Sequence, residues 1–483
     1  MEATATYHPE ETYSVGPLLK LERLSTWVWV LGYTAVLTTL SVVRYEWFAA
    51  GWDLGYYEQA MWALYHQGPG ALATLSGYPV LADSASFILL ILAPFFVWFG
   101  VGFLFVLQSL ALGLGYWWIR RIGNALGLDP VRARLVGIVY LLYPVIIAAN
   151  LFDFHPDVLA VPLLFAAMSY SLQNRWGAYA LTIFACLLVK DMAALAVLGL
   201  GLTLLCQRKW GAGAITFLAG SAWLVATTSW FIPWLAHHPM SQWVAYYGQW
   251  GKTPLSGLRY LARHPEALFG WIRQVRAWEY LVWIFGPLVG LLFLGMRPTW
   301  VSVAWLIPAA VILEANLLSR FPAQTSPFDQ YSLFAVPSLM LAMLQMGRPR
   351  MRAGNRWKWG AVVPAAGFFI VLAYHLHATT WRAHPSNVAS LEAAVLRVPN
   401  GAPVVAQNFV LPHVARRAVL YDLNQGSPVY QRPGTYILVD PRFSTTGVQG
   451  QRYANAVAKN LAKQGYQAIF HDGGVILFRS RGR

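Results

Sequence analysis

The sequence predicts an all-α polytopic membrane protein, with about 11 to 13 transmembrane helices of about 20 residues each, followed by a small extracytoplasmic α/β domain. Composition is the first observation: 57% of the 483 residues are hydrophobic, 11% are charged, and the mean hydropathy is +0.46. Soluble domains carry about 25% charged residues, so this chain does not cover an ordinary water-exposed surface. The second observation is an aromatic content of 15%, including 23 Trp, which suits many membrane–water interfaces.

The N-terminal segment 1–26 is predicted to be cytoplasmic and uncleaved. It is largely polar, and the first apolar stretch, 27–43, lacks a small-residue cleavage site. Much of the net charge of +15 lies in short segments between apolar runs, such as 120–134, 208–209 and 347–359. Short basic loops face the cytoplasm under the positive-inside rule. We therefore interpret these charges as topology signals and expect no nucleic-acid partner.

The transmembrane domain is predicted to cover residues 27–378. Its apolar runs are bounded by polar residues or turn formers, and several of them reach the length of a full crossing, about 20 residues. The regular spans predicted after residue 130 are 135–150, 157–173, 212–231, 281–296, 299–318, 331–346 and 360–378.

Two apolar stretches do not fit one straight span each. Residues 177–206 are interrupted by Lys190 and Asp191 and have basic residues at both ends. We therefore predict two short helices, with this charged pair at their outer turn. In residues 86–118, Pro94, Gly100 and Gly102 predict a broken or re-entrant half followed by a full span.

These crossings place two long loops, 44–85 and 233–280, and the C-terminal residues 379–483 on the outer side. The C-terminal part contains short β-rich runs and one segment with helical spacing, which predict a small mixed α/β domain. The strands are predicted at 402–407, 418–421, 436–440, 467–470 and 474–478, and the helix at 451–464. The domain has no phosphate-binding glycine motif, so we expect a binding, lid or assembly role for it.

The first outer loop begins with an acid and a helical pattern. Apolar positions predict an amphipathic helix over 54–65 that lies along the membrane surface. Asp53 then has two interpretations: it caps this helix, as a preferred N-cap residue type, or it is a reacting acid. Glu58 is either on the water-exposed face of the helix or part of a substrate site.

A second acidic motif follows a predicted span. Asp153, His155 and Asp157 alternate, so in an extended conformation they share one side and could transfer protons or hold a metal. The alternative is structural, because Pro156 suits a first helical turn and an acid at that place complements the helix dipole.

Charged side chains at the outer turn are costly to bury. A charge at the bilayer centre costs about 2.5–3.5 kcal/mol. Lys190 and Asp191 are therefore either a neutralising pair at the interface or a functional pair placed deeper.

The later outer segments mix basic and aromatic residues. We predict that Arg259, Arg263 and Arg320 contact the phosphate of a membrane lipid or lipid-linked substrate. The alternative for 233–280 is a plain pair of interfacial helices.

Five segments, in order along the chain, resemble a family of predicted prokaryotic multi-pass membrane proteins catalogued as a domain of unknown function. The resemblance covers about residues 30–480, and the set of motifs is specific. The segments are 52–62 (WDLGYYEQAMW), 149–163 (ANLFDFHPDVLAVPL), 187–200 (LLVKDMAALAVLGL), 329–337 (DQYSLFAVP) and 407–420 (QNFVLPHVARRAVL).

That family in turn resembles the GT-C superfamily of integral-membrane glycosyltransferases. The resemblance implies surface helices in the first outer loop, an acid after the first span, here Asp53, and a polyprenyl-phosphate-linked sugar as donor. The predicted catalytic residues are Asp53, Asp153 and His155. A divalent cation is a candidate cofactor, and its identity stays unknown. The predicted substrate-binding residues are Glu58, Lys190, Asp191, Arg259, Arg263 and Arg320.

The chain departs from its family at several of these places. Lys190, Asp191 and Met192 stand where the family usually has Lys-Glu-Asp. Ser84 and Gln330 stand where His is frequent, and Glu58 replaces a common Asp. The loss of two imidazoles and one carboxylate argues against a metal-dependent mechanism in this member.

Two functions of other classes stay open: a transporter or flippase for lipids or glycans, and an envelope assembly scaffold whose C-terminal domain binds a partner. A transporter is expected to contain inverted repeats with paired broken helices, and no convincing internal repeat is found in the sequence. An enzyme needs its carboxylates to converge on one outer cavity. We expect a multi-pass protein of the plasma membrane, in contact with membrane lipids and a polyprenyl-phosphate donor.

Overall fold

Long apolar runs form helices in this chain, because a backbone in hydrocarbon must satisfy its N–H and C=O groups within each segment. The computed structural model describes residues 17–237, 242–274, 277–292, 298–346, 360, 362–377, 384–425, 433–445, 447–464 and 466–480. Two predicted features, the N-terminal residues 1–16 and the basic segment 347–359, lie outside the described residues.

The helices that precede the C-terminal domain carry most of the chain. They are α1 (Pro17–Glu46), α2 (Trp52–Gln67), α3 (Val80–Ser84), α4 (Ile88–Phe99), α5 (Val101–Ala125), α6 (Pro130–Leu141), α7 (Pro144–Leu151), α8 (Ala160–Leu172), α9 (Trp176–Leu187), α10 (Ala193–Cys206), α11 (Trp210–Ala226), α12 (Ile232–Ala236), α13 (Gln242–Tyr247), α14 (Pro254–Arg263), α15 (Pro265–Gln274), α16 (Ala277–Phe285), α17 (Val289–Leu292), α18 (Trp300–Ala304), α19 (Ile307–Leu318), α20 (Val336–Gln345) and α21 (Val363–Leu376). A short hairpin of β1 (Leu72–Ala73) and β2 (Tyr78–Pro79) lies in the first outer loop.

Several of these helices are suited to cross a membrane. Within the described residues, four are long and apolar enough, and two bent pairs raise this number to six if each pair is one span. Shorter apolar helices, among them α4, α9, α10 and α21, accompany them. The helical fold class is therefore confirmed, while the total number of spans stays a prediction.

Both irregular stretches have the predicted form. Helix α4 ends at Gly100, whose φ of 78° lies in the left-handed region that a glycine adopts without strain, and α5 continues as a full-length span. Helices α9 and α10 are short, and Lys190 and Asp191 lie in the turn between them.

Small residues allow neighbouring helices to approach closely. A Cβ added to Gly201 would lie 2.4 Å from the backbone nitrogen of Phe217, and one added to Gly220 would lie 2.9 Å from that of Leu198. Close approach of this kind is the usual source of helix association in lipid, and here it packs α10 against α11.

Two of the arginines interpreted as topology signals, Arg120 and Arg132, are buried in the bundle. Arg120 donates to the carbonyl of Pro130 at 2.6 Å. Arg132 donates to the carbonyls of Met343 and Met346. Met343 and Met346 lie at the C-terminal end of α20, where carbonyls lack intrahelical donors, and Arg132 satisfies them. Arg120 links α5 to the start of α6, so both side chains also hold helices together.

The C-terminal domain is a five-stranded mixed sheet. Its strands are β3 (Val404–Ala406), β4 (Leu420–Asp422), β5 (Tyr436–Val439), β6 (Gln467–Asp472) and β7 (Val475–Arg479), in the order β4-β3-β5-β7-β6. The first three pair in parallel, and β6 and β7 pair antiparallel. Helix α23 (Gly447–Lys463) packs on the sheet, and α22 (Val388–Val395) precedes it. All five predicted strands and the predicted helix are present, whereas α22 was missed.

Candidate functional site

Helix α2 organises the site; the predicted helix is present, but the face that was predicted to be water-exposed is buried. Ten of its sixteen residues are buried. It begins after Gly51, which provides no side-chain cap, and Asp53 lies in its first turn. The capping interpretation of Asp53 is therefore wrong.

The α/β domain packs on α2 and buries it. A Cβ added to Gly55 would lie 2.9 Å from the Cβ of Leu411, so only glycine allows this contact. Gln59 donates to the carbonyl of Arg417 at 3.3 Å. His413 stacks on both Tyr45 and Phe48, with ring centroids 4.2 and 3.7 Å apart. The amphipathic pattern alone could not reveal this cover, which comes from residues more than 350 positions away.

Asp153 supplies the cap that α2 lacks. Its carboxylate accepts hydrogen bonds from the backbone N–H of Gly51, at 3.1 and 3.2 Å, and of Leu54, at 3.1 Å. It also forms a 2.7 Å ion pair with Arg44 at the end of α1. A carboxylate at this place satisfies free N–H groups and complements the helix dipole. Asp153 therefore fixes the start of α2, and its catalytic role stays a prediction.

Of the predicted catalytic residues, His155 lies beside Asp53. Its Nε2 lies 3.8 Å from Oδ2 of Asp53, and its Nδ1 lies 3.2 Å from the carbonyl of Asp153. The imidazole is held between Phe152, which stacks on it, and Tyr57, which meets it edge-on. This packing leaves the ring one orientation, with one nitrogen directed at the Asp53 carboxylate.

Asp53 differs from its neighbours because its side chain is 33% exposed, while that of His155 is 3% exposed. The protein around Asp53 still removes most of the water from its carboxylate, and this desolvation raises the pKa of Asp53 to about 6. The positive charges of His155 and Lys190 oppose this rise, and the carboxylate of Asp153 adds to it. An accessible carboxylate that titrates near neutral pH suits proton transfer.

A buried ion pair adjoins this contact. Lys190 Nζ lies 3.3 Å from Oδ2 of Asp157, whose side chain is 1% exposed. The same ammonium lies 5.9 Å from the centre of the Tyr331 ring. Burial lowers the pKa of Lys190, but Asp157 and other anionic groups around it raise this pKa. The net result is a pKa above the ordinary value. The cation therefore persists at neutral pH.

The turn that carries Lys190 is tied to the first outer loop. The backbone N–H of Asp191 donates to the carbonyl of Ser84 at 3.1 Å, and that of Ile88 donates to the carbonyl of Leu188 at 2.9 Å. The Oδ2 atom of Asp191 is buried without a hydrogen-bond partner, and burial raises the pKa of this carboxyl to about 7. These two backbone hydrogen bonds join residues that are about 100 positions apart in the chain.

Glu58 lies on the buried side of α2 rather than on a water-exposed face. The whole residue is 2% exposed, and one of its carboxylate oxygens has no hydrogen-bond partner. Burial raises its pKa to about 8, and the positive charge of Arg416 opposes this rise. Glu58 is consequently a neutral acid at pH 7.

The three predicted phosphate-binding arginines are placed differently. Arg259 and Arg263 are exposed on α14, an amphipathic helix that begins with a Thr253 capping box. In the described parts of the chain, no hydrogen bond or ion pair joins them to Asp53 or Lys190. Arg320 donates to the carbonyl of Ala245 at 2.8 Å and so anchors α13.

Sequence reasoning missed three polar residues near this cluster. Asp83 on α3 faces Tyr56 and Lys190, and Asp329 lies near His155 and Asp53. Asn408 of the α/β domain reaches the first turn of α2, since a Cβ on Gly51 would lie 2.9 Å from its Oδ1. Asp329 and Asn408 belong to the motifs 329–337 and 407–420, which was the available signal.

The donor groups do not fit a divalent cation. Among the residues that the structure describes, no three His, Cys, Asp or Glu side chains lie close enough to hold a metal. Asp153 already accepts from Arg44 and two backbone N–H groups, and Asp157 is paired with Lys190.

Known proteins resemble this chain in two ways. A family model described as "Predicted membrane protein (DUF2079)" matches residues 44–477. The structure is similar to that of ArnT from Cupriavidus metallidurans bound to undecaprenyl phosphate, with a TM-score of 0.54 and 14% identity over 93% of this chain and 97% of ArnT. Its similarity to ArnT in the apo state has a TM-score of 0.50 and 13% identity, over 93% and 98% of the two chains. No curated protein matches the sequence significantly. This similarity concerns the fold, and it confirms the predicted GT-C-like architecture.

Proposed function

This chain belongs to the DUF2079 family of predicted membrane proteins, and from that premise we propose that it is a glycosyltransferase that uses a polyprenyl-phosphate-linked sugar as donor. The observation that carries the proposal is the contact of the accessible Asp53 with the buried His155, beside the Lys190–Asp157 pair. A structure of similar fold, ArnT, binds undecaprenyl phosphate, which supports a lipid-phosphate ligand.

Asp53 acts as the general base in this proposal. The oxygen of an acceptor hydroxyl attacks the anomeric carbon of the sugar, and the bond from that carbon to the phosphate oxygen breaks. The hydroxyl proton passes to Asp53, and polyprenyl phosphate leaves. A base with a pKa near the working pH is effective in such a step, and burial raises the pKa of Asp53 to about 6. His155, 3.8 Å away, orients the carboxylate.

Lys190 is proposed to stabilise the leaving phosphate. Its ammonium is held by Asp157 at 3.3 Å and remains charged because of the anionic groups around it. Lysine binds phosphate as a point charge, and negative charge accumulates on the phosphate as its bond to the sugar breaks. Arg259 and Arg263, exposed on α14, are proposed to hold lipid headgroups at the membrane surface.

An apolar groove provides a place for the lipid tail. It has a volume of about 970 Å³ and is lined by α1, α6, α7 and α21. The lining runs from Trp29 to Leu151, two residues before Asp153. An isoprenoid chain needs such a lining, because burial of apolar surface is its main source of binding energy. We further propose that the site faces the outer side of the plasma membrane.

Substitution of Asp53 tests the proposal. Purified protein in nanodiscs is incubated with undecaprenyl-phosphate-linked hexoses and an acceptor extract, and release of undecaprenyl phosphate is measured. Asp53→Asn should lower the rate by about 100-fold or more, since a general base contributes about 10²–10⁴. Glu392→Gln, at an exposed position on α22, is the matched control and should retain the wild-type rate.

The melting temperature separates a catalytic from a structural effect. Asp53 makes no bond to the helix backbone that Asn would lose, so the Asn variant should melt near the wild type. An Asn variant with full activity would remove the general base from the proposal. Lipid movement between leaflets without release of sugar would favour the transporter instead.

A further inference from the structure

A second apolar groove lies between α9 and α11, away from the candidate site. Its volume is about 750 Å³. Its walls include Ala180, Ile183 and Phe184 on α9 and Ile215 on α11. At the floor of the groove, the hydroxyl groups of Tyr179 and Thr216 form a hydrogen bond to each other at 3.0 Å. These two hydroxyls are therefore satisfied without a ligand. The groove therefore suits a hydrocarbon chain.

The groove opens at the end of the bundle opposite to the α/β domain. Helix α9 ends at the turn that is bonded to Ser84 and Ile88, and the same outer loop contacts the α/β domain where Thr74 bonds to Leu420. Trp176 and Trp210, the first residues of α9 and α11, consequently mark the far end.

The length of the groove is close to the thickness of the hydrocarbon layer of one leaflet. Its lining on α9 extends from Trp176 to Leu187, and eleven steps of 1.5 Å give about 17 Å. One half of a hydrocarbon core measures about 15 Å. A single acyl chain fits this length.

The mouth of the groove is basic, and within the described part of the chain its cations form no ion pair with an acid. Lys209 lines the mouth, its Nζ donates to the carbonyl of Ser171 at 2.7 Å, and it lies over the Trp176 ring at 5.3 Å. Arg175 and Arg208 are exposed beside it. The only acid between residues 158 and 265 is Asp191, which lies at the opposite end of α10. Trp and basic residues at one level are typical of the headgroup region.

We infer that this groove binds an anionic phospholipid from the leaflet on the side away from the α/β domain. One acyl chain lies between α9 and α11, and the phosphate lies among Arg175, Arg208 and Lys209. Charge complementarity selects an anionic headgroup over a zwitterionic one. This inference is independent of the proposed transfer reaction.

Lipid retention tests the inference. The full-length protein is reconstituted in phosphatidylcholine nanodiscs with and without phosphatidylglycerol, extracted in mild detergent and examined by native mass spectrometry. The wild type should retain phosphatidylglycerol in preference to phosphatidylcholine. Arg175→Gln with Arg208→Gln should weaken retention about thirtyfold, since each basic residue near a membrane surface contributes about fivefold.

Two further variants separate the parts of the site. Ala180→Phe fills the groove without changing charge and should also weaken retention of phosphatidylglycerol. Arg121→Gln removes a cation that lies over Trp117 and Trp118, outside the groove, and should retain phosphatidylglycerol like the wild type. Equal retention of both lipids by the wild type, unchanged retention in either groove variant, or equal loss in the Arg121 variant would overturn the inference.

Discussion

Replacement of Asp153 tests whether this residue positions α2 or reacts itself. In Asp153→Asn, the side chain loses its charge, and one of its two acceptor oxygens becomes an NH2 group. The native carboxylate accepts from Arg44 at 2.7 Å and from the N–H groups of Gly51 and Leu54. At least one of the two backbone N–H groups would then face a donor. The first turn of α2 should become less stable, and the position of Asp53, which lies in that turn, should become less fixed.

The expected magnitude follows from these bonds. Hydrogen bonds to charged groups contribute about 1.5–3 kcal/mol each, so the loss of one to two of them gives about 3 kcal/mol for Asp153→Asn. Asp153→Ala also leaves Arg44, whose side chain is 11% exposed, without its counterion. Breaking a buried pair in this way costs about 3–5 kcal/mol. The Ala variant should therefore be the less stable of the two.

Thermal unfolding in detergent, monitored by intrinsic fluorescence, measures the effect. Asp53→Asn is the matched control, because it makes the same chemical change in the turn that Asp153 caps, on a side chain without a backbone partner. Both Asp153 variants should melt several degrees below it. If Asp153→Asn melts with the wild type, the capping argument fails. If it abolishes activity at unchanged stability, Asp153 is a reacting group rather than a positioning one.

Three further predictions follow from titration and exposure. Because burial raises the pKa of Asp53 to about 6, kcat/KM should fall as pH drops through 6, and a flat profile between pH 5 and 7 would exclude Asp53 as the base. Burial raises the pKa of Glu58 from 4.5 to about 8, so the folded state holds a proton that the unfolded chain releases, and stability should decline between these pH values. Glu58→Gln should remove most of that decline in Tm measured against pH. In a Cys206→Ser background, an impermeant thiol reagent should label Lys459→Cys but not Asn174→Cys in intact cells. The opposite labelling pattern would show that the protein has the inverted topology.

The local features of this protein were determined by the sequence itself. Hydropathy placed the helices, the glycine after α4 marked the break before α5, and Lys190 and Asp191 marked the turn between two short helices. The strands of the α/β domain followed from β-rich runs between turn residues. Such features depend on neighbouring residues, because helix and strand periods and turn conformations are set within a few positions.

The roles of the acidic residues were decided only by the tertiary structure. The sequence marks both Asp53 and Asp153 as candidate catalytic acids, yet Asp153 is bound to Arg44, 109 positions away, and Asp53 remains accessible beside His155. Glu58 is a neutral buried acid because Leu411 and its neighbours cover α2. A carboxylate's function depends on burial and on the charges around it, and these come from elements that are distant in the chain and meet only when the helices and the α/β domain pack together.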